Sequence, residues 1–450
     1  LARRAYVDVM HSKDLIFLAN PGGSLSGQLR VPGDKSISHR SIMLGSLAEG
    51  TTEVEGFLEG EDALATIQAF RDMGVVIEGP NQGRVTVHGV GLHGLKPPPG
   101  PIYLGNSGTS MRLLSGLLAA QPFDTTLTGD ASLSKRPMNR VAKPLREMGA
   151  VIETAADGRP PMTIRGGQKL SGMHYNMPMA SAQVKSCLLL AGLYAADKTS
   201  VTEPAPTRDH TERMLQGFGY PVQVEGNTAT VESGHTLRST QIEVPADISS
   251  SAFFMVAASI APGSDITLEH VGVNPTRTGV IDILRLMGAN IELSNLREVG
   301  GEPVADIRVR AAQLKGIDIP EDLVPLAIDE FPVLFVAASC AEGRTTLRGA
   351  EELRVKESDR IQVMADGLQA LGVSATPTTD GIIIEGSGGL GGGEVWAHGD
   401  HRIAMSFSVA ALRASAPIRI HDCANVATSF PNFLALAERA GMRVGVEGNS

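Results

Sequence analysis

The chain has 450 residues, 42% of them hydrophobic and 20% charged, which is the composition of a globular protein too long for one ordinary core. Its net charge is −10 and its aromatic content only 4%. Those values argue against nucleic acid or an anionic membrane surface as partner, and against stacking platforms for bases or sugars. No apolar run approaches the roughly 20 residues of a membrane span, and no secretory leader is visible.

In chain order, "LARRAYVDVMHSKD" comes first. It begins with Leu1 and not Met, and reads either as the cut end of a longer chain or as an artificial start. Two β-rich runs follow, "LIFLA" and "SGQLRV", then "GDKSISHR", small and polar residues that suit a helix opening. From here one phrase recurs: a helix-like stretch, a glycine, a β-rich run. The glycines are Gly74, Gly149, Gly219, Gly288, Gly372 and Gly441, at gaps of 75, 70, 69, 84 and 69 residues. A glycine between helix and strand is the left-handed stop signal. Six at near-constant spacing make a repeat. The first five are each followed by two short strands and a new helix opening: "GNSGTSMR", "MASAQVKS", "ADISSSAF", "AIDEFPV" and "GDHRIAM". The last copy stops after Gly441, so the N-terminal strands are expected to complete it.

Six units divide as three and three in an α/β protein with βα crossovers. The phrase "QLRVPGDKSISHR" at 28–40 is echoed by "QIEVPADISSSAF" at 241–253, and the two echoes mark the crossovers. The expected domains are 34–246 and, discontinuously, 1–33 with 247–450. Only the first echo is charged, through Lys35 and Arg40; the second is expected to be a packing joint.

Cys187, Cys340 and Cys423 are odd in number, far apart and set among apolar neighbours. They read as buried free thiols in a reducing compartment, so the expected location is cytoplasmic. His398 and His401 stand three apart without further ligand spacing, no CxxC occurs, and no metal is expected. A P-loop and a dinucleotide fingerprint are also lacking.

Helix openings leave backbone N–H groups unpaired and favour an anion. In this acidic chain the openings are basic or small: Lys35, Ser36 and Arg40; Asn106, Gly108, Thr109 and Arg112; Ser181, Ala182, Gln183 and Lys185; His401 and Arg402. A second class of joint adds Lys135 and Arg136, Arg208, then Lys356 and Arg360. Asp329, Glu330 and Glu357 are the carboxylates among them. The pattern suits a two-domain clamp on a small polyanion, with general acid–base work by a carboxylate pair.

The phrases "GDKSISHR", "GNSGTSMRLL", "KRPM", "MASAQVKS", "PTRDHTE", "AIDEFP", "RVKESDR", "GDHRIAM" and "ATSFPNF" resemble, in order, those of the 5-enolpyruvylshikimate-3-phosphate (EPSP) synthase family, over about residues 15–445. "GDKS", "SAQVK", "RDHTE" and "NPTR" look like its class II. The resemblance implies an inverse α/β barrel in two domains, each of three βαβαββ repeats, with the active site in the interdomain cleft. It implies transfer of the enolpyruvyl group of phosphoenolpyruvate to shikimate 3-phosphate, through a tetrahedral adduct, with no cofactor.

By the same resemblance, Lys35, Ser36 and Arg40 bind shikimate 3-phosphate, with Lys35 also touching phosphoenolpyruvate. Ser181, Ala182, Gln183 and Arg208 hold the ring and its phosphate. Gly108, Arg136, Arg360 and Arg402 hold phosphoenolpyruvate, with Asn106 beside them. Asp329 takes the hydroxyl proton, and Glu357 delivers one to the methylene carbon with Lys356 alongside. The family is the target of glyphosate. The sequence departs from the family pattern at Ala182, where many members carry a second serine, and at Thr428, where some carry lysine. Gly108 is glycine where some herbicide-insensitive class II members have alanine. Some members follow a prephenate dehydrogenase in one chain, with which the first residues are compatible; the synthase itself is expected to be monomeric. The sister enzyme, UDP-N-acetylglucosamine enolpyruvyl transferase, is the alternative, but it starts its site with Lys-Asn and uses a loop cysteine. A non-catalytic polyanion clamp is the other alternative, and leaves Asp329 and Glu357 unaccounted for.

Overall fold

The computed structural model describes residues 14–448, and the N-terminal segment on which the fusion reading rests lies outside them for all but its last residue. The chain divides into two compact units. Unit one comprises residues up to Val31, Ala246–Leu296 and the chain from Ala305 on; unit two comprises Pro32–Pro245 and Arg297–Val304. The segment 297–304, which a reading by sequence leaves in the discontinuous part, thus groups with unit two.

Each unit contains three small sheets of one design. In unit two, Gln241–Glu243 runs parallel to Thr51–Glu55, which pairs antiparallel with Arg84–His88, and that in turn with Val76–Asn81. The same order recurs around Thr125–Thr128 and around Lys198–Thr202. In unit one the parallel pair is Gly393–Trp396 with Ile418–His421 in one sheet and Ser26–Leu29 with Asp265–Gly272 in another. The third has single bridges from Lys315 and Asp318 to the strand Glu342–Leu347. A parallel pair needs a crossover, and in four of the six sheets a single helix between the two strands supplies it.

All six glycines of the repeat adopt left-handed φ, from 79° at Gly219 to 118° at Gly441. In every case the next residue donates its N–H to the carbonyl five residues back: Val75 to Phe70, Ala150 to Leu145, Tyr220 to Leu215, Ala289 to Leu284, Val373 to Leu368 and Met442 to Ala437. This is the Schellman bond, which satisfies a helix carbonyl and turns the chain into the strand.

Phe17–Ala19 completes the C-terminal sheet by pairing with Ile418–His421 and Val444–Val446, as the repeat requires. Ser26–Leu29 does not. It opens the sheet of Asp265–Gly272 in unit one, although the helix after it belongs to unit two. Gln241–Glu243 does the converse. The echoed phrases are therefore an exchange: each leaves its strand in one unit and its helix in the other.

The first helix of each repeat is buried. All residues of Ile248–Ile260 and Phe331–Cys340 are inaccessible, as are Ile37–Leu47 of Lys35–Leu47. Helices buried on every side have no water-facing stripe, so they form the centre while the sheets alternate buried and exposed residues. In unit two, Gly108–Leu118 packs on Ala182–Gly192 so closely that a Cβ on Gly116 would lie 2.0 Å from the Cys187 carbonyl oxygen. Among the described residues no helix is long and apolar enough to cross a membrane.

Candidate active site

The buried helices need caps, because their ends have no water to bind. Asp34 accepts from Ile37 N at 2.9 Å, Ser107 from Ser110 N at 3.1 Å, Ser181 from Val184 N at 3.2 Å and Asp400 from Arg402 N at 3.1 Å. The capped ends present the residues singled out by sequence.

In unit two, Lys35 lies one residue after its cap and pairs with Asp62 Oδ2 at 2.5 Å. Arg40 is 6% exposed. It donates to Thr211 Oγ1 at 2.8 Å, to the Ser36 carbonyl at 3.0 Å and to Ser186 Oγ at 3.2 Å. That uses three of the five guanidinium N–H groups. Burial, helped by the nearby charge of Arg208, pulls Arg40 down to about 10 against the opposing carboxylates Asp34, Glu212 and Glu302. It stays charged at neutral pH.

Arg136 donates to Asn106 Oδ1 at 2.7 Å. Arg112 donates to Gln183 Oε1, and Gln183 Nε2 donates to Thr109 Oγ1 at 2.9 Å. Gln183 thus ties two helix openings together. Burial, with Arg136 and Arg140 repelling, pulls Arg112 down to about 10. Gly108 lies against this pair: a Cβ there would meet Arg112 Nη1 and Arg136 Nη1 at 3.2 Å each. Ala182 is the first helical residue and supplies no hydroxyl.

Lys185 corrects the sequence reading, which counted it among the basic residues facing an anion. It is 1% exposed and held 3.0 Å from both Glu203 Oε1 and Glu212 Oε2, which are buried as well. Being four residues past the cap, it points into the helix packing and not out of the opening.

In unit one, Arg360 is the centre. It is 1% exposed and donates through Nε to Asp400 Oδ2 at 2.9 Å, through Nη1 to Asp329 Oδ1 at 3.3 Å and through Nη2 to Glu357 Oε2 at 2.6 Å. Lys356 Nζ lies 3.6 Å from Asp329 Oδ1, and Arg402 Nη1 donates to the Asp329 carbonyl at 3.4 Å. Both predicted acid/base carboxylates therefore share one guanidinium. Although burial pushes Glu357 up, the Arg360 guanidinium, with Arg402 behind it, outweighs it and holds the carboxyl below its usual range. Its side chain is nonetheless 48% exposed, so it can reach a ligand. Burial and then Arg402 pull His401 down to about 4, which keeps the imidazole neutral. Thr428 donates its hydroxyl to the Asn425 carbonyl at 2.7 Å.

Sequence reasoning missed Asp400. It is wholly buried and also accepts from Ser358 Oγ at 2.8 Å. An aspartate just before a helix opening was the available signal; nothing in the sequence tied it to Arg360, 40 positions earlier. The second echo also holds charge: Arg277 of "NPTR" donates to Asp247 Oδ1 at 2.9 Å and Ser249 Oγ at 3.0 Å, so that joint is more than packing.

Comparison with known proteins gives one answer. Residues 19–436 match the family described as EPSP synthase (3-phosphoshikimate 1-carboxyvinyltransferase). The chain is 69% identical over 437 residues to the 3-phosphoshikimate 1-carboxyvinyltransferase of Methylococcus capsulatus, covering 97% of this chain and 100% of that protein. It is 71% identical over 426 residues to that of Alkalilimnicola ehrlichii, covering 95% and 96%. The solved EPSP synthase of Acinetobacter baumannii superposes with a TM-score of 0.92 at 63% identity, over 96% of this chain and 100% of that one. The enolpyruvyl transferase NikO of Streptomyces tendae, at 16% identity and a TM-score of 0.78 over 97% and 100%, shares the fold. Two units of three buried helices and three sheets, with a carboxylate pair on one guanidinium, therefore belong to a member of the EPSP synthase family.

Proposed function

We propose that this chain is a 3-phosphoshikimate 1-carboxyvinyltransferase, which moves the enolpyruvyl group of phosphoenolpyruvate onto the 5-hydroxyl of shikimate 3-phosphate and releases phosphate. The observation that carries the site assignment is the placing of Asp329 and Glu357 on Arg360. Addition to an enol ether needs a base at oxygen and an acid at carbon, and two carboxylates in different settings can divide that work.

In this reading Lys35, Ser36, Arg40, Ser181, Ala182, Gln183 and Arg208 hold shikimate 3-phosphate. Asn106, Gly108, Arg136, Lys356, Arg360 and Arg402 hold phosphoenolpyruvate, with Lys35 reaching both. Forked guanidinium groups suit phosphate and carboxylate. Asp329 takes the hydroxyl proton as the oxygen bonds to C2 of phosphoenolpyruvate. Glu357 gives a proton to C3, and takes one back from the resulting methyl group as the C2–O bond to phosphate breaks. Arg360 governs when Glu357 can act. An anionic donor drawing on the guanidinium weakens its hold on Glu357, whose proton affinity then rises toward that of a working acid. The ionised resting carboxylate supports this reading. With three buried thiols, the enzyme is read as a monomeric synthase of the cytoplasm.

The test is phosphate release. Phosphoenolpyruvate with shikimate 3-phosphate should give stoichiometric phosphate. Phosphoenolpyruvate with UDP-N-acetylglucosamine should give none. Release only with the second acceptor would make the protein the sister enzyme; release with neither would leave only an anion-binding clamp.

A further inference from the structure

The helices that carry the substrate-binding openings of unit two have another end. Lys35–Leu47 and Ala182–Gly192 both finish at a cavity of about 420 Å³, lined by Leu47, Glu49, His93, Tyr194, His235 and Leu237 among others. That volume is in the range of small-ligand sites, roughly 300–1,000 Å³. The leucines are buried and form its floor, while Glu49, His93 and His235 are exposed at its mouth. Its rings are held in place. His93 meets Tyr194 edge-on at 5.7 Å, and His235 meets Tyr220 edge-on at 5.5 Å. Tyr194 donates its hydroxyl to the Leu92 carbonyl at 2.7 Å.

The repeat provides a counterpart. In unit one the corresponding region lies past the ends of Ile248–Ile260 and His401–Ala410, with Cys340 also lining it. There Arg413 lines a cavity of about 480 Å³, donating to the Ile260 carbonyl at 3.0 Å and to the Gly388 carbonyl. Arg413 comes thirteen residues after the cap Asp400, and Tyr194 comes thirteen after the cap Ser181. Ile260 and Leu47 are likewise the last residues of matched thirteen-residue helices. So both units have a cavity here, but the one in unit one is lined by a guanidinium and the one in unit two by a neutral phenol. Two residues past the helix, unit one has Pro262 where unit two has the carboxylate of Glu49.

We propose that the cavity of unit two binds a small, flat organic cation of the guanidinium or amidinium class. Helix C-termini carry partial negative charge, and Glu49 adds a full one. The ring faces of Tyr194, His93 and His235 suit a planar cation, and the leucine floor suits an apolar body. The ligand is opposite in charge to the substrates, so this site is separate from the anion-binding openings.

Calorimetric titration of the full chain with benzamidine tests it, with benzoate as the same shape of opposite charge. Benzamidine should bind saturably, with the same affinity in the presence of shikimate 3-phosphate, and benzoate should not bind at this site. Glu49→Gln should weaken benzamidine about fivefold, the worth of an exposed ion pair. Tyr194→Arg, which puts a fixed positive charge beside the cavity, should abolish binding of a cation; if that variant does not fold, Glu49→Gln decides alone. Absence of saturable binding, equal binding of benzoate, competition by shikimate 3-phosphate, or indifference to Glu49→Gln would each overturn the proposal.

Discussion

Arg360 Nη2 stands 2.6 Å from Glu357 Oε2, and this guanidinium outweighs burial and holds the carboxyl proposed as proton donor below its usual range. Two kinds of variant separate its consequences. Glu357→Gln removes proton delivery, a loss of roughly 10²–10⁴ in kcat. The KM for phosphoenolpyruvate should stay the same or fall, because a guanidinium donor is freed for the anion. Arg402→Ala should do the reverse, raising that KM about 30-fold or more, the effect of about 2–5 kcal/mol on a desolvated charge pair. Steady-state kinetics on both variants checks this. A Glu357→Gln enzyme with normal kcat and a raised KM would remove the acid role from Glu357.

Asp400 should matter as much as the residues that touch substrate, though it is wholly buried. It binds Arg360 through both carboxylate oxygens. Breaking one partner of a buried ion pair costs about 3–5 kcal/mol, so Asp400→Asn should lower the urea midpoint at pH 7 clearly. Burial raises the Asp400 pKa, but Arg360 outweighs it and holds the carboxyl below 3.8. A depressed carboxylate pKa adds stability above the unfolded value and loses it as pH falls through the folded one. The gap between wild type and Asp400→Asn should therefore persist down to about pH 4 and close only below it.

Two buried histidines set the stability at milder acidity. Burial pulls His39 down to about 3 and His401 to about 4, from an ordinary 6.5. Both stay neutral in the folded state while the unfolded chain takes up protons. Their contribution is complete above pH 6.5 and is lost as pH falls toward those folded values. Each adds a slope of up to about 1.4 kcal/mol per pH unit. Between pH 6.5 and 5, urea unfolding followed by circular dichroism should show His39→Gln losing stability less steeply than wild type, by up to about 1.4 kcal/mol per pH unit. An unchanged slope would mean that His39 is protonated in the fold.

Gly108→Ala tests how closely Arg112 and Arg136 approach the helix opening at Gly108. The added methyl would sit 3.2 Å from two guanidinium nitrogens, on Arg112 and Arg136, tight enough to move both by a few tenths of an ångström. Positioning errors of that size weaken binding more than they impair folding. The KM for phosphoenolpyruvate should rise several-fold with the melting temperature unchanged. A several-degree fall in melting temperature with a normal KM would place the strain in the helix packing instead.

The repeat was legible because its signals are local. A glycine that must be left-handed and a cap that must be Ser or Asp are dictated within five residues, and all six glycines obey. Arg360, Glu357 and Asp329 could be picked as charged residues at joints, but their meeting depends on loops that bring residue 329 to 360. The boundaries expected at 33 and 246 already part each echo's strand from its helix, but the sheet that Ser26–Leu29 joins was hidden for another reason. Both strands carry the same phrase, so either satisfies either sheet, and only the chain path distinguishes them.

Lys185 shows where local reading fails, and it supports one last prediction. Near a helix opening a lysine looks like an anion ligand, but its Nζ lies 3.0 Å from each of two buried carboxylates. Burial already raises Glu212 against the pull of this lysine. Lys185→Met would leave Glu203 and Glu212 facing each other without a cation, and should cost about 3–5 kcal/mol of stability. Lys185→Met with Glu212→Gln removes one of the uncompensated charges and should recover part of that loss. The KM for shikimate 3-phosphate should move far less than in Arg40→Met, where guanidinium donors at the opening itself disappear. Urea unfolding and kinetics on the three variants decide the matter. If Lys185→Met kept full stability while raising the shikimate 3-phosphate KM a hundredfold, the lysine would be a ligand after all, and the buried triad would not describe the working enzyme.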